Sequence, residues 1–139
     1  MGIGFNEALS RGLESMQEPE FRALWSTNQN PDDVSIFSLI QEDLRTNSGW
    51  TAQGFWALAV NRLGNWRMGI RWSLLRLPFN LLYKLLAVWV HWTTRIELPY
   101  IAPCGRRVRI MHHGGCVLGA RHIGDDVQIR HNVTLGLAN

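Results

Sequence analysis

One apolar position returns at a strict interval of six through the end of the chain: Leu98, Cys104 and Ile110, then, after a break, Ile123, Ile129 and Leu135. Cys104, Ile123 and Leu135 are each followed directly by Gly, and Val127 and Val133 stand four places after Ile123 and Ile129. Helical spacing stops at Glu97, where Gly and β-branched residues become common. A six-residue repeat with one inward aliphatic and small residues at its corners describes a β-solenoid of flat, three-sided coils. Each hexad then supplies a short strand, three hexads close a coil, and stacked aliphatic ladders hold the coils together. The stretch from about His112 to His122 interrupts the repeat.

Upstream the texture is helical. Asn30-Pro31-Asp32-Asp33 places a capping Asn, a Pro at the first helical position and two carboxylates in the positive first turn. Ile36, Phe37, Ile40 and Leu44 follow at helical spacing, and Asn47-Ser48-Gly49 ends the run. A second helix is expected from near Thr51, with Phe55, Leu58, Ala59, Arg62, Leu63 and Trp66 on one stripe. Leu77-Pro78 opens a third, running to about Thr94. Residues 1–30 are weakly patterned, with a short amphipathic piece at Phe5, Leu9 and Leu13. The expected domains are therefore an extension over 1–30, a helical domain over 31–96 and a repeat region over 97–139.

The third helix, FNLLYKLLAVWVHWTT, is apolar almost all round, though Asn80, Lys84 and His91 interrupt it. A membrane span wants about 20 apolar residues. Two readings stand: a helix buried among neighbours or other subunits, or one attached to a bilayer surface. Composition narrows the rest. The 139 residues carry Lys+Arg 14 against Asp+Glu 11, a net charge of +3, and 46% are hydrophobic. That excludes a disordered tail or a basic nucleic-acid-binding arm. Seven Trp need apolar partners. Two Cys make no disulfide framework, so a reducing compartment is expected. The first residues lack a secretory signal's basic-then-apolar order. Localisation reads as cytoplasmic, with the inner face of a membrane as its variant.

The blocks GRRVRIMHHGGCVLG and IGDDVQIRHNVTLG resemble the serine acetyltransferase family, acyltransferases of the hexapeptide-repeat class. The first is similar to its His-x-x-Gly segment and the second to its hexapeptide-plus-VTLG signature. Upstream, IQEDLRTNSGW and FWALAVNRLGNW resemble the family's helical entry, closest to the branch in capsule and exopolysaccharide clusters, colanic-acid-type acetyltransferases included. The resemblance runs from Ser38 to Asn139. It implies an α+β chain, an N-terminal α-helical region followed by the first coils of a left-handed parallel β-helix. Handedness comes from the resemblance alone and opposes the usual right-handed crossover. It also implies acetyl-CoA as co-substrate, no metal, and a homotrimer or dimer of trimers.

Acetyl transfer from a thioester to a hydroxyl needs a base for the hydroxyl proton, and imidazole titrates in the right range. A carboxylate behind it fixes the tautomer and stabilises the imidazolium. The resemblance puts the base at His112 and the carboxylate at Glu97, where the family more often has Asp. They are fifteen residues apart, close to one coil of about eighteen. His112 lies seven residues before Gly119, matching the family; a one-residue slip makes His113 the base. Substrate contacts fall on Asp43, Met111 and His113, and pantetheine contacts on Thr134 and Gly136. Met111 stands where the serine-using members carry Asp, and a thioether cannot pair with an ammonium. The acceptor hydroxyl thus stays open between L-serine and a polysaccharide sugar. His122 and His131 read as surface positions, one at a corner and one on a strand. His91 reads as a helix-packing residue, and Cys104 and Cys116 as small core hydrophobes. His112, His113 and Cys116 give no closed four-ligand zinc set.

About two coils fit between Leu98 and Asn139, fewer than the roughly three repeats plus a cap that a solenoid needs. The expectation is an N-terminal portion of a longer O-acetyltransferase. The competing class is a non-catalytic scaffold or oligomerisation module built on the Trp-rich helices.

Overall fold

The structure, a computed structural model, describes residues 17–111 and 114–136. Helix α1, Glu18–Ala23, runs into a 3-10 turn at Leu24–Ser26. Then come α2, Ile36–Thr46, α3, Gln53–Trp66, a 3-10 turn at Arg67–Gly69, and α4, Ser73–Thr94. Five short strands follow: β1 Ile96–Glu97, β2 Arg109–Ile110, β3 Cys116–Leu118, β4 Gln128–Ile129 and β5 Thr134–Leu135.

The cap of α2 is Ser35, not Asn30. Ser35 has extended backbone, and its Oγ accepts from the Ser38 amide at 3.2 Å. Asn30 turns inward instead and donates from its side-chain amide to the Arg62 carbonyl at 2.9 Å. Helix α4 likewise starts earlier than Leu77-Pro78, at Ser73, and runs through Pro78. Pro78 withholds only the bond to the Leu74 carbonyl, at an exposed turn where water can serve it.

Helix α3 is the centre of the molecule. Phe55, Ala57, Leu58 and Val60 are buried, and so are Asn61, Arg62 and Asn65. Its glycines allow close approach. A Cβ at Gly54 would stand 2.5 Å from the Ile110 carbonyl oxygen, and one at Gly64 2.6 Å from the Tyr83 ring. Helix α4 lies antiparallel against it, joined at one end by Trp66–Phe79 and at the other by Trp56–Trp89, both edge-to-face. The core continues into the strands through Val90, Ile96, Leu98, Ala102, Cys104, Val108, Ile110, Cys116, Leu118, Ile123 and Ile129.

The strands form two small parallel sheets, β1-β3-β5 and β2-β4, plus one isolated bridge between Cys104 and Ile123. An α+β chain is what the structure has; the coils of a left-handed β-helix are not evident in it. The six-residue interval does put five of its six members inside, since Leu98, Cys104, Ile110, Ile123 and Ile129 are buried, while Leu135 is half-buried. It does not close them into a regular coil. Paired strands hold two or three residues, and the pairing offset drifts. Ile96 pairs 20 residues on with Cys116, Arg109 19 on with Gln128, and Val117 17 on with Thr134. The interruption after Met111 breaks the even pitch that an eighteen-residue coil requires.

Candidate functional site

The two acidic residues of QEDLR hold the helices to the strands. Asp43 is fully buried, and Arg62 donates to it from Nε at 2.8 Å and from Nη2 at 3.2 Å. The same guanidinium donates to the carbonyls of Cys104 and Gly105, the latter at 2.6 Å. Burial pushes the Asp43 carboxyl up, and the Arg62 fork opposes that shift. The expectation of Asp43 as a substrate contact is therefore corrected: a carboxylate sealed under a guanidinium cannot reach an acceptor.

Its neighbour Glu42 forms a second fork with Arg106, from Nε at 3.1 Å and from Nη2 at 2.6 Å, and hydrogen bonding from Arg106 holds its carboxyl below the usual range. Asn47 extends the joint by acting as a strand partner for β2. Its amide donates to the Val108 carbonyl at 3.0 Å, and its Oδ1 accepts from the Ile110 amide at 3.0 Å. Asn61 donates to the carbonyls of Pro99 and Ala102, and Asn65 to that of Tyr100. This polar seam was not singled out from sequence. The signal for it is NRLGN in α3, where residues 61, 62 and 65 share one face and carry donors that nothing within a helix needs.

Glu97 has the opposite setting. On β1 it alternates with buried Ile96 and Leu98 and points outward. Register puts it beside Val117 of β3, and Val117 beside Thr134 of β5. The expected catalytic carboxylate and the expected pantetheine contact thus share one exposed face, two strands or roughly 10 Å apart. A groove of about 420 Å³ opens there, lined by His91, Trp92, Arg95, Glu97, Gly115, Cys116 and Val117. Among the described residues Glu97 makes no hydrogen bond or ion pair.

His112 and His113, the expected base and its alternative, lie outside the described residues, three and two positions before Gly115 in sequence. Met111, at the end of β2, is half-buried and donates its amide to the Ile129 carbonyl at 2.8 Å. Gly136 is exposed just past β5. His91 is exposed and lines the groove, which corrects its reading as a packing residue. His131 is exposed in a turn rather than on a strand, and His122 is half-buried, its imidazole pKa lowered by burial. Cys104 and Cys116 are buried free thiols; burial pushes Cys104 up to about 12, and the Cys116 Sγ lies 3.3 Å from the Arg130 carbonyl. Among the described residues no three His, Cys, Asp or Glu side chains cluster as a metal site would need.

Compared with family models, with curated proteins and with solved structures, the chain matches none.

Proposed function

We propose that this chain carries an acetyl-CoA-dependent O-acetyltransferase site of the kind its sequence resembles, with the hydroxyl of L-serine or of a polysaccharide sugar as acceptor. The observation that carries the reading is Glu97. It is an outward carboxylate without a partner among the described residues, in a groove that Gly115 also lines, two and three positions after His113 and His112 in sequence, and on the same sheet face as Thr134.

In this reading His112 takes the proton from the acceptor hydroxyl as its oxygen attacks the thioester carbonyl. The tetrahedral adduct collapses, the carbon–sulfur bond breaks, and the imidazolium returns its proton to the departing CoA sulfur. Glu97 orients the imidazole and stabilises its charged form, a role that His–carboxylate pairs fill in many hydrolytic sites. Thr134 and Gly136 hold the pantetheine arm, one offering a hydroxyl and the other an uncrowded backbone. His113 stands as the alternative base.

The test is release of CoA thiol from acetyl-CoA in the presence of L-serine or of sugar acceptors. Turnover with one acceptor class, reduced roughly 10²–10⁴-fold by His112→Ala and little changed by His113→Ala, supports the reading. The reverse order of the two variants moves the base to His113. A folded chain with no acceptor-dependent thiol release overturns it and leaves the non-catalytic scaffold.

A further inference from the structure

Helix α4 presents an apolar face that nothing in the chain covers. Leu74, Leu77, Leu81, Leu85, Val88 and Trp92 recur at helical spacing on one stripe, and every one is more than half exposed, Trp92 to 80%. By length and composition this 22-residue helix could cross a membrane, yet only 6% of its most apolar window is buried. It is not a core helix.

Its charge says what would cover it. Between Asp43 and Glu97 the chain holds no Asp or Glu, while Arg45, Arg62, Arg67, Arg71, Arg76, Lys84 and Arg95 all fall in that stretch. Arg62 is sealed against Asp43 and Arg67 sits between the rings of Tyr83 and Tyr100. Arg71, Lys84 and Arg95 are exposed, spread from before α4 to its end. A second copy would meet this face with the same sign of charge. An antiparallel pair centred on α4 sets Lys84 against Lys84, with no carboxylate on either helix to answer it. An anionic lipid surface answers both features. Trp72 at the start of the helix and Trp92 near its end are 72% and 80% exposed, placed where interfacial anchors sit.

The inner side of α4 excludes a span through the bilayer. It is packed along its length on α3, from Phe79 on Trp66 to Trp89 on Trp56, and α3 carries the buried Asn61, Arg62 and Asn65 that engage the strand region. Those groups and their carbonyl partners cannot follow α4 into hydrocarbon.

We infer that α4 lies flat on an anionic membrane surface, its Leu74–Trp92 stripe in the acyl boundary and its basic residues at the headgroups. The inference stands on α4 alone and is independent of acetyl transfer. The test is flotation of this chain with vesicles of phosphatidylcholine, with and without phosphatidylglycerol. The expected result is binding at least about tenfold stronger to the anionic vesicles, lost at high salt and lost in Leu81→Glu/Leu85→Glu. Both leucines are exposed, so circular dichroism of that variant should match the parent. No flotation with either vesicle, together with a dimer that the same variant dissociates in sedimentation, would overturn the inference in favour of a second copy. Binding that resists high salt and alkaline carbonate would overturn it in favour of a spanning helix.

Discussion

Asp43 and Glu97 are the two carboxylates for which the sequence offers a role at the acceptor, and the fold treats them in opposite ways. Asp43 sits on α2 where α3 and the strand region converge, sealed from water and answered by two donors of the Arg62 guanidinium, which also serves the Cys104 and Gly105 carbonyls. Glu97 sits on β1 facing solvent, unanswered among the described residues, with a groove before it. A buried ion pair contributes little net stability against an apolar pair of equal volume, but breaking it strands a charge. The joint therefore acts as a register device: Arg62 fits only if the backbone at Cys104 and Gly105 offers both carbonyls. The groove is the place where chemistry can still be added.

The joint can be broken in graded steps. Arg62→Met leaves Asp43 and two carbonyls without donors, and denaturant unfolding should show a loss of about 3–5 kcal/mol. Asn47→Leu orphans the Val108 carbonyl and the Ile110 amide, for about 1–3 kcal/mol per group. Gly54→Ala drives a methyl into the Ile110 backbone and should cost about 1–3 kcal/mol, since both sides of that contact are secondary structure.

Glu42→Gln should cost less than about 1 kcal/mol, because the Glu42–Arg106 fork is partly exposed and screened. Its mark is in the pH dependence. Arg106 holds the folded-state pKa of Glu42 below 4.5, so the fork's contribution is complete above that value and fades as pH falls through the folded pKa. Acid titration followed by circular dichroism should show the parent losing more stability below pH 4.5 than Glu42→Gln does.

Much of the helical half was legible because helices announce themselves through spacing and stop signals. Ile36, Ile40 and Leu44 are half-buried on α2 as their spacing required, though Phe37 of the same stripe is 83% exposed and the fully buried Leu39 stood outside it. The polar seam was not legible. Hydropathy sorts Asn61 and Asn65 outward and gives no partner for Arg62 on its stripe, whereas the strand region's short loops leave carbonyls at Pro99, Ala102, Cys104 and Gly105 that need donors from a neighbour. Hydropathy left α4 open between burial and a bilayer surface, and the fold leaves its leucines exposed. In the strand region the interval of six found five buried residues but passed over Ile96, Ala102, Val108 and Leu118, which are buried too. It could not supply strand length or constant offset, and those separate two small parallel sheets from closed coils. Glu97 was legible as a carboxylate at the boundary of helix and strand; its openness came from the alternation with Ile96 and Leu98.

The measurement that tests the central claim most directly is Glu97→Gln, assayed for acetyl transfer across pH beside an unfolding curve. Glu97 is outward and unengaged among the described residues, so the unfolding midpoint should match the parent. Turnover should fall roughly 10²–10⁴-fold. The acid limb of kcat/KM should move to lower pH, because an imidazole without its carboxylate protonates less readily. Unchanged turnover and an unchanged acid limb would contradict the assignment of Glu97 to the site.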